Sequence, residues 1–304
     1  MRAWVLAAVC LAACATTTPP AATGQAGAET PTVPSLGDIL QASPAADWRP
    51  LDPQNTIYMD LPQGRVIIEL SPQYTPNHAA NITALARAHY YDGAWIVRSQ
   101  DNYVVQWGRD ENEPAGYGEG HATIGAEFSR SRRGVSITRL VDPDSYAPVV
   151  GFAGGFPVAA EGDETWIAHC YGVVGAGRGD TADSGGGAEL YVVIGQAPRH
   201  LDRNVTTVGR VIQGMEILST MPRGTGPLGF YEQPSQRTPI TRVRVEADIP
   251  ESERAHLEVL RTDSATFRAV IDSRRTRRES WFLEPTGHIN VCNVPLPVRV
   301  HSAG

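Results

Sequence analysis

The chain has 304 residues, enough for one large domain or two small ones, and 41% of them are hydrophobic, enough to supply a core. A formal net charge of −7 argues against a nucleic-acid partner. All 26 basic residues are arginine, a composition bias to which no function attaches.

Residues 1–14 have the features of a bacterial secretion signal. Arg2 is a minimal positive region, an apolar run follows from Ala3 to Ala13, and small residues precede Cys14. Leu11-Ala12-Ala13-Cys14 resembles a lipobox, in which the cysteine is acylated and becomes the mature N-terminus. The alternative is an ordinary cleaved signal. The run is too short to span a bilayer. Ala15 stands where inner-membrane lipoproteins typically carry Asp, so the expected location is the periplasmic side of the envelope, with the outer membrane preferred. Residues 15–50 are rich in Ala, Thr, Pro and Gly, the composition of a flexible tether.

Residues 51–248 read as the main domain. Thr56 to Asp60 and Gly64 to Leu70 are predicted strands around a Leu61-Pro62-Gln63-Gly64 turn. Thr75-Pro76 opens a predicted helix with Ala79, Ile82, Leu85 and Ala86 as its apolar stripe. Residues 90–108 then read as two strands: Asp92-Gly93 is a tight turn before the first, and Gln100-Asp101-Asn102 separates it from the β-branched and aromatic run Tyr103 to Trp107. Two polar side chains, Arg98 and Gln106, interrupt these apolar runs. A guanidinium among Ile, Val and Tyr must reach solvent or line a concave site, because an unpaired buried charge is costly.

At these residues the chain resembles the cyclophilin family of peptidyl-prolyl cis/trans isomerases, whose signature pairs a Tyr-Asp-Gly turn with an Arg-ended strand and a Gln-containing one. Ala126-Glu127-Phe128 continues the resemblance. It fades across residues 129–168, an insertion or a rebuilt loop over the pocket, and resumes at Tyr171 to Arg178, Ala188 to Gly195, Leu201-Asp202, and Thr207 to Leu218 with Gly214-Met215-Glu216. The resemblance covers residues 54–248 and implies a mainly β fold: a closed eight-stranded antiparallel barrel capped by two helices. Residues 249–304 lie outside it. With residues 288–300 read as a strand or extended tail, Leu257, Leu260, Phe267, Val270 and Ile271 have helical spacing over residues 252–278, so a helical C-terminal extension with an Arg-rich face is expected. It is either a solvated appendage or a docking surface for a partner or anionic lipid. Cys170 and Cys292 remain after processing; in an oxidising compartment they either form one disulfide or persist as buried thiols.

The resemblance also implies a chemistry and a site. Rotation about an X-Pro bond crosses a barrier of roughly 20 kcal/mol without breaking a bond, so neither nucleophile, metal nor other cofactor is expected. A cation near the prolyl nitrogen and an apolar hollow for the ring are what help. Arg98 takes the catalytic role, Gln106 binds substrate backbone, and Tyr103, Val104, Tyr191 and Leu201 wall the pocket. Val97, Glu189 and Val205 depart from the family's usual His, Gln and His. Glu189 is at a substrate-binding position, where a salt bridge to Arg98 would neutralise the catalytic charge; Asp101 is a second candidate partner. The expected partners are proline-containing exported polypeptides and, through the anchor, the membrane. The alternative function is a cyclophilin-like module without turnover that binds Pro-containing segments or an envelope partner.

Other motifs carry less. His169-Cys170 and Asp183-Ser184-Gly185 look like serine-protease motifs, but 15 residues cannot hold the two-barrel fold that separates them in that family. Arg178-Gly179-Asp180 is a turn, and Gly175 to Gly179 lacks the third glycine and strand–helix context of a dinucleotide loop. His78, His89, His121, His200 and His288 show no paired ligand spacing, so no metal is expected.

Overall fold

The computed structural model describes residues 34–301 except Glu111, Glu113 and Pro114. The signal, Cys14 and the first part of the proposed tether lie outside the described residues. Among the described residues no helix is long and apolar enough to cross a membrane.

The fold is mainly β. A curled nine-stranded antiparallel sheet runs in the order Thr238–Pro239, Trp95–Ser99, Val104–Gly108, Leu190–Val193, Val173–Ala176, Thr207–Gln213, Gly64–Leu70, Thr56–Leu61, Arg242–Val245. The sequence reading counts eight strands, the last over residues 240–247; the ninth, Thr238–Pro239, is a short strand just before it. Pro239 has no N–H to continue the ladder, and the chain crosses from Trp95 to Asp60 within the few residues around Ile240. Period-two alternation sends Val105, Trp107, Leu190 and Val192 into the sheet's interior, where they join Ile57, Val66, Ile82 and Leu85 in the main core.

The helix Pro76–Arg87 buries Ala79, Ile82, Leu85 and Ala86 on that core, as its spacing predicts. Its cap is not local. The Thr75 hydroxyl turns back to the Ser71 carbonyl, and the Glu127 carboxylate, fifty residues on, accepts from the backbone N–H groups of Asn77 (3.1 Å) and His78 (2.9 Å). An anion at a helix N-terminus meets both the free N–H groups and the positive end of the dipole. The second helix, Met215–Ser219, has only 5 residues.

Three expectations are corrected by a second module. Residues 129–168 are not a loop: they form a five-stranded antiparallel sheet in the order Arg130–Ser131, Glu164–Ile167, Phe156–Glu161, Val149–Ala153, Thr138–Arg139. Gly154 and Gly155, both at positive φ, make the tight hairpin turn between Ala153 and Phe156. The tether stops short of Pro50. Leu36–Gln41 is a helix capped by Ser35, and Trp48–Pro50 is a strand. Residues 252–278 are not helical throughout: Leu257–Leu260 is a strand between Trp48–Pro50 and Val298–Val300, the latter in the stretch read as a strand or extended tail, and only Ala265–Thr276 is a long helix.

The reason lies in burial. All of Leu257, Glu258, Val259 and Leu260 are buried, Val259 facing one core and Leu260 another, so the residues show no strand alternation. The second core joins Trp48, Phe152, Phe156, Trp166, Phe267, Val270 and Val291, from three separate stretches of chain. Phe152 and Phe267 meet edge to face at 5.0 Å. Cys170 and Cys292 form a disulfide that bolts the C-terminal stretch to the start of the strand Val173–Ala176.

Candidate active site

Three neighbouring strands bring the proposed residues into one row. Arg98 lies directly across from Gln106, and Gln106 directly across from Tyr191. Directly opposed residues share a face, and so do residues two apart, so Val104, Glu189 and Val193 join the row on the side away from the main core. A register shift between Ile96 and Arg98 aims the arginine there. Val104, Tyr191 and Val193 are buried as a small apolar cluster, with Tyr103 and Val205 packed at its margin. Val205, at a position where the family often has His, thus extends the apolar wall. Leu201 is half-buried at the end of the turn Ala197–Leu201, outside that cluster.

The guanidinium of Arg98 is held by neutral acceptors. Nε donates to the Leu228 carbonyl at 2.7 Å, Nη1 to Gln106 Oε1 at 3.1 Å, and Nη2 to Gln100 Oε1. The rings of Tyr103 and Phe230 flank it at 5.5 and 5.2 Å. The rival salt bridges to Glu189 and Asp101 are absent among the described residues. Glu189 accepts instead from Gln106 Nε2 at 2.8 Å, and Asp101 pairs with Arg223 at 3.1 Å. Gln106 therefore stands between anion and cation, its carbonyl turned to Arg98 and its amide N–H to Glu189. Burial lowers the Arg98 pKa from its ordinary value, yet an arginine at any physiological pH keeps its proton. The charge remains, and two of its five N–H groups meet no acceptor among the described residues.

The segment 222–231, which carries no motif, supplies the Leu228 carbonyl. Its backbone runs along the strand of Arg98 through Gly224 N–H to Ser99 O and Tyr231 N–H to Val97 O. Leu228 sits in the left-handed region at φ 57°, a conformation that costs a non-glycine residue about 1–2 kcal/mol. Leu228 as a residue is 65% exposed.

His169, set aside in sequence as half of a false protease pair, proves to be part of the pocket wall's support. Its Nδ1 donates to Asp202 Oδ1 at 2.9 Å, so Nε2 is the acceptor for the Tyr191 hydroxyl at 2.8 Å. Arg199 holds the far carboxylate oxygen of Asp202 at 2.9 Å and grips Asp144 of the inserted segment with two bonds of 2.9 Å. Burial pushes the Asp202 pKa up, but His169 and Arg199 outweigh it and the net shift is downward. Tyr191 lies flat over Gly175, where an added Cβ would stand 2.3 Å from the ring. Ser184 donates to the Thr181 carbonyl at 2.5 Å, and both His169 nitrogens are taken, which disposes of the protease reading. In the sequence Tyr191 has a hydroxyl that, once buried, needs a partner, and nothing there points to His169 as that partner.

Replacing His169 by Leu strands the buried Tyr191 hydroxyl, so a loss of about 1–3 kcal/mol in urea unfolding and a higher KM for peptide are expected. Adding Tyr191→Phe should recover most of both; if the double variant is as impaired as the single, His169 does not act through that hydroxyl.

Residues 56–245 match the family model described as cyclophilin type peptidyl-prolyl cis-trans isomerase/CLD. A probable peptidyl-prolyl cis-trans isomerase of Brucella suis is 25% identical over 215 residues, spanning 70% of this chain and 91% of the relative. The human peptidyl-prolyl cis-trans isomerase-like 1 is 25% identical over 210 residues, covering 68% of this chain and 96% of its own. Among solved structures, cyclophilin AquaCyp293 from Hirschia baltica superposes with a TM-score of 0.67 at 23% identity, over 89% of this chain and 100% of that one. That share exceeds what residues 56–245 supply, so the likeness in fold reaches into the second module. With its signature residues gathered on one face and the family match spanning most of its length, the chain belongs to the cyclophilin-type peptidyl-prolyl cis-trans isomerases.

Proposed function

We propose that this isomerase serves exported polypeptides at the periplasmic side of the envelope, with Arg98 as its catalytic residue. The observation that carries the site assignment is a cation beside the apolar patch of Val104, Tyr191 and Tyr103, held in place by neutral carbonyls and paired with no carboxylate among the described residues. As an X-Pro amide twists, its nitrogen loses conjugation and gains a localised lone pair. The uncommitted N–H groups of Arg98 stabilise that lone pair and the neighbouring carbonyl more in the twisted state than in either planar one. Gln106, oriented from behind by Glu189, offers its amide to substrate backbone. Tyr103, Val104, Tyr191 and, from the adjoining turn, Leu201 wall the ring. Past Glu189 a cleft of about 560 Å³, lined in part by Tyr90, Arg178 and Ser184, gives a longer peptide room to continue.

The finer reading of the sheet is a closed barrel. It is supported by its two edge strands being consecutive in the chain, with Ile240 N–H to Ala94 O (2.7 Å) at one edge and Thr241 N–H to Asp60 O (2.9 Å) at the other. Export is supported by the Cys170–Cys292 disulfide, a bond that persists in oxidising compartments. Acylation of Cys14 anchors the chain. Metabolic labelling with palmitate should mark the wild type and not Cys14→Ser, and the variant should leave the membrane fraction; an unlabelled, equally sedimenting wild type would leave only a cleaved signal.

A further inference from the structure

Between the curled sheet and the second module lies a charge that the fold does not balance. Arg210, on the strand Thr207–Gln213, is directly paired with Glu69 and Val173, so its side chain leaves the sheet on the face towards that module. It is only 6% exposed. Glu69 is its one carboxylate, and Glu69 is already engaged: Arg49 binds Oε1 at 2.7 Å, whereas Arg210 Nε is 3.7 Å from Oε2, beyond hydrogen-bond reach. Among the described residues no acceptor meets any nitrogen of this side chain, and Nε is shielded from solvent without a partner. Two guanidinium groups thus share one carboxylate, which leaves one positive charge uncompensated in a buried place.

The opening next to it has a defined shape. Arg210 lines a cleft of about 290 Å³ whose walls include Met215, Val291, Val294, Leu296 and the Cys170–Cys292 bridge. Of the arginine's nitrogens only Nε is fully shielded, so its terminal nitrogens retain the access that this cleft provides. We propose that this cleft is a second binding site, separate from the row around Arg98, for a small carboxylate with an apolar body, gripped through Arg210. A planar guanidinium with free terminal N–H groups suits the two oxygens of a carboxylate, and the apolar walls suit a branched aliphatic group beside it. One bound anion brings Arg49, Glu69, Arg210 and ligand to neutrality.

Titration of the oxidised full-length protein with N-acetyl-L-leucine, followed by NMR or calorimetry, tests this. Saturable binding is expected, at least tenfold tighter than for N-acetyl-L-leucinamide, which has the same body without the charge. A tetrapeptide ending in Leu with a free carboxylate distinguishes a polypeptide end from a free acid: tighter binding than the acetylated amino acid indicates the former, weaker the latter. Arg210→Gln should abolish binding. Because that change touches a buried ion cluster, Met215→Trp serves alongside it, filling the cleft while leaving Arg210 and the row around Arg98 in place. It should lose the ligand and keep the isomerase rate. Equal affinity for acid and amide, no saturable binding of either, or undiminished binding by Met215→Trp overturns the proposal.

Discussion

Arg98→Ala is expected to lower kcat/KM for an Ala-Pro or Gly-Pro peptide by about a hundredfold to a thousandfold, the usual cost of removing one donor aimed at developing charge in a transition state. The change should fall mainly on kcat, because the arginine's advantage lies in the twisted amide rather than in ground-state binding. Exchange NMR at equilibrium reads the rate directly. Arg98→Lys separates charge from geometry. A lysine keeps the cation but not the planar fork that bonds Leu228, Gln106 and Gln100 at once, so only partial activity should return. Urea unfolding of both variants guards against a trivial loss of fold. Wild-type and Ala rates that agree would remove Arg98 from the chemistry and leave it as a pin for the segment 222–231.

Loss of the Cys170–Cys292 bridge should be the largest single blow to stability. It closes a loop across 122 positions of sequence, for which chain-entropy reasoning gives about 4–5 kcal/mol. Cys170→Ala with Cys292→Ala, or the wild type under reductant, should therefore show a markedly lower guanidinium midpoint. The effect should be regional. Amide exchange ought to accelerate first around Val291 and the helix Ala265–Thr276, while the strands Val104–Gly108 and Gly64–Leu70 stay protected. A midpoint that does not move on reduction would mean that packing of Phe267, Val270 and Val291 against Phe152 holds the module unaided.

How far the sequence reached depended on whether a residue's neighbours in space were also its neighbours in chain. The row around Arg98 was legible through the family resemblance, which places Arg98, Gln106, Glu189 and Tyr191 by motif, and the antiparallel register sets those positions side by side. The helix Pro76–Arg87 was legible in its stripe but not in its cap, since Glu127 lies fifty residues away. The second module was not legible at all as a unit. Its core takes Trp48 from a stretch with tether-like composition, Phe152 from an interruption of the family pattern, and Phe267 from beyond it. Each piece alone is too short of apolar residues to announce a core. The rival salt bridge from Glu189 to Arg98 stayed open in the sequence for a similar reason: a position in a motif says which face a carboxylate occupies, not that a glutamine amide stands in between.

The strand Leu257–Leu260 lies between Trp48–Pro50 and Val298–Val300, so the first described strand and the last close one sheet. A chain made N-terminus first has every strand of the larger sheet in hand by Val245, yet must keep Trp48 waiting until the final stretch arrives. Synthesis cut short after that point would release a product with its signature row assembled and one flank greasy.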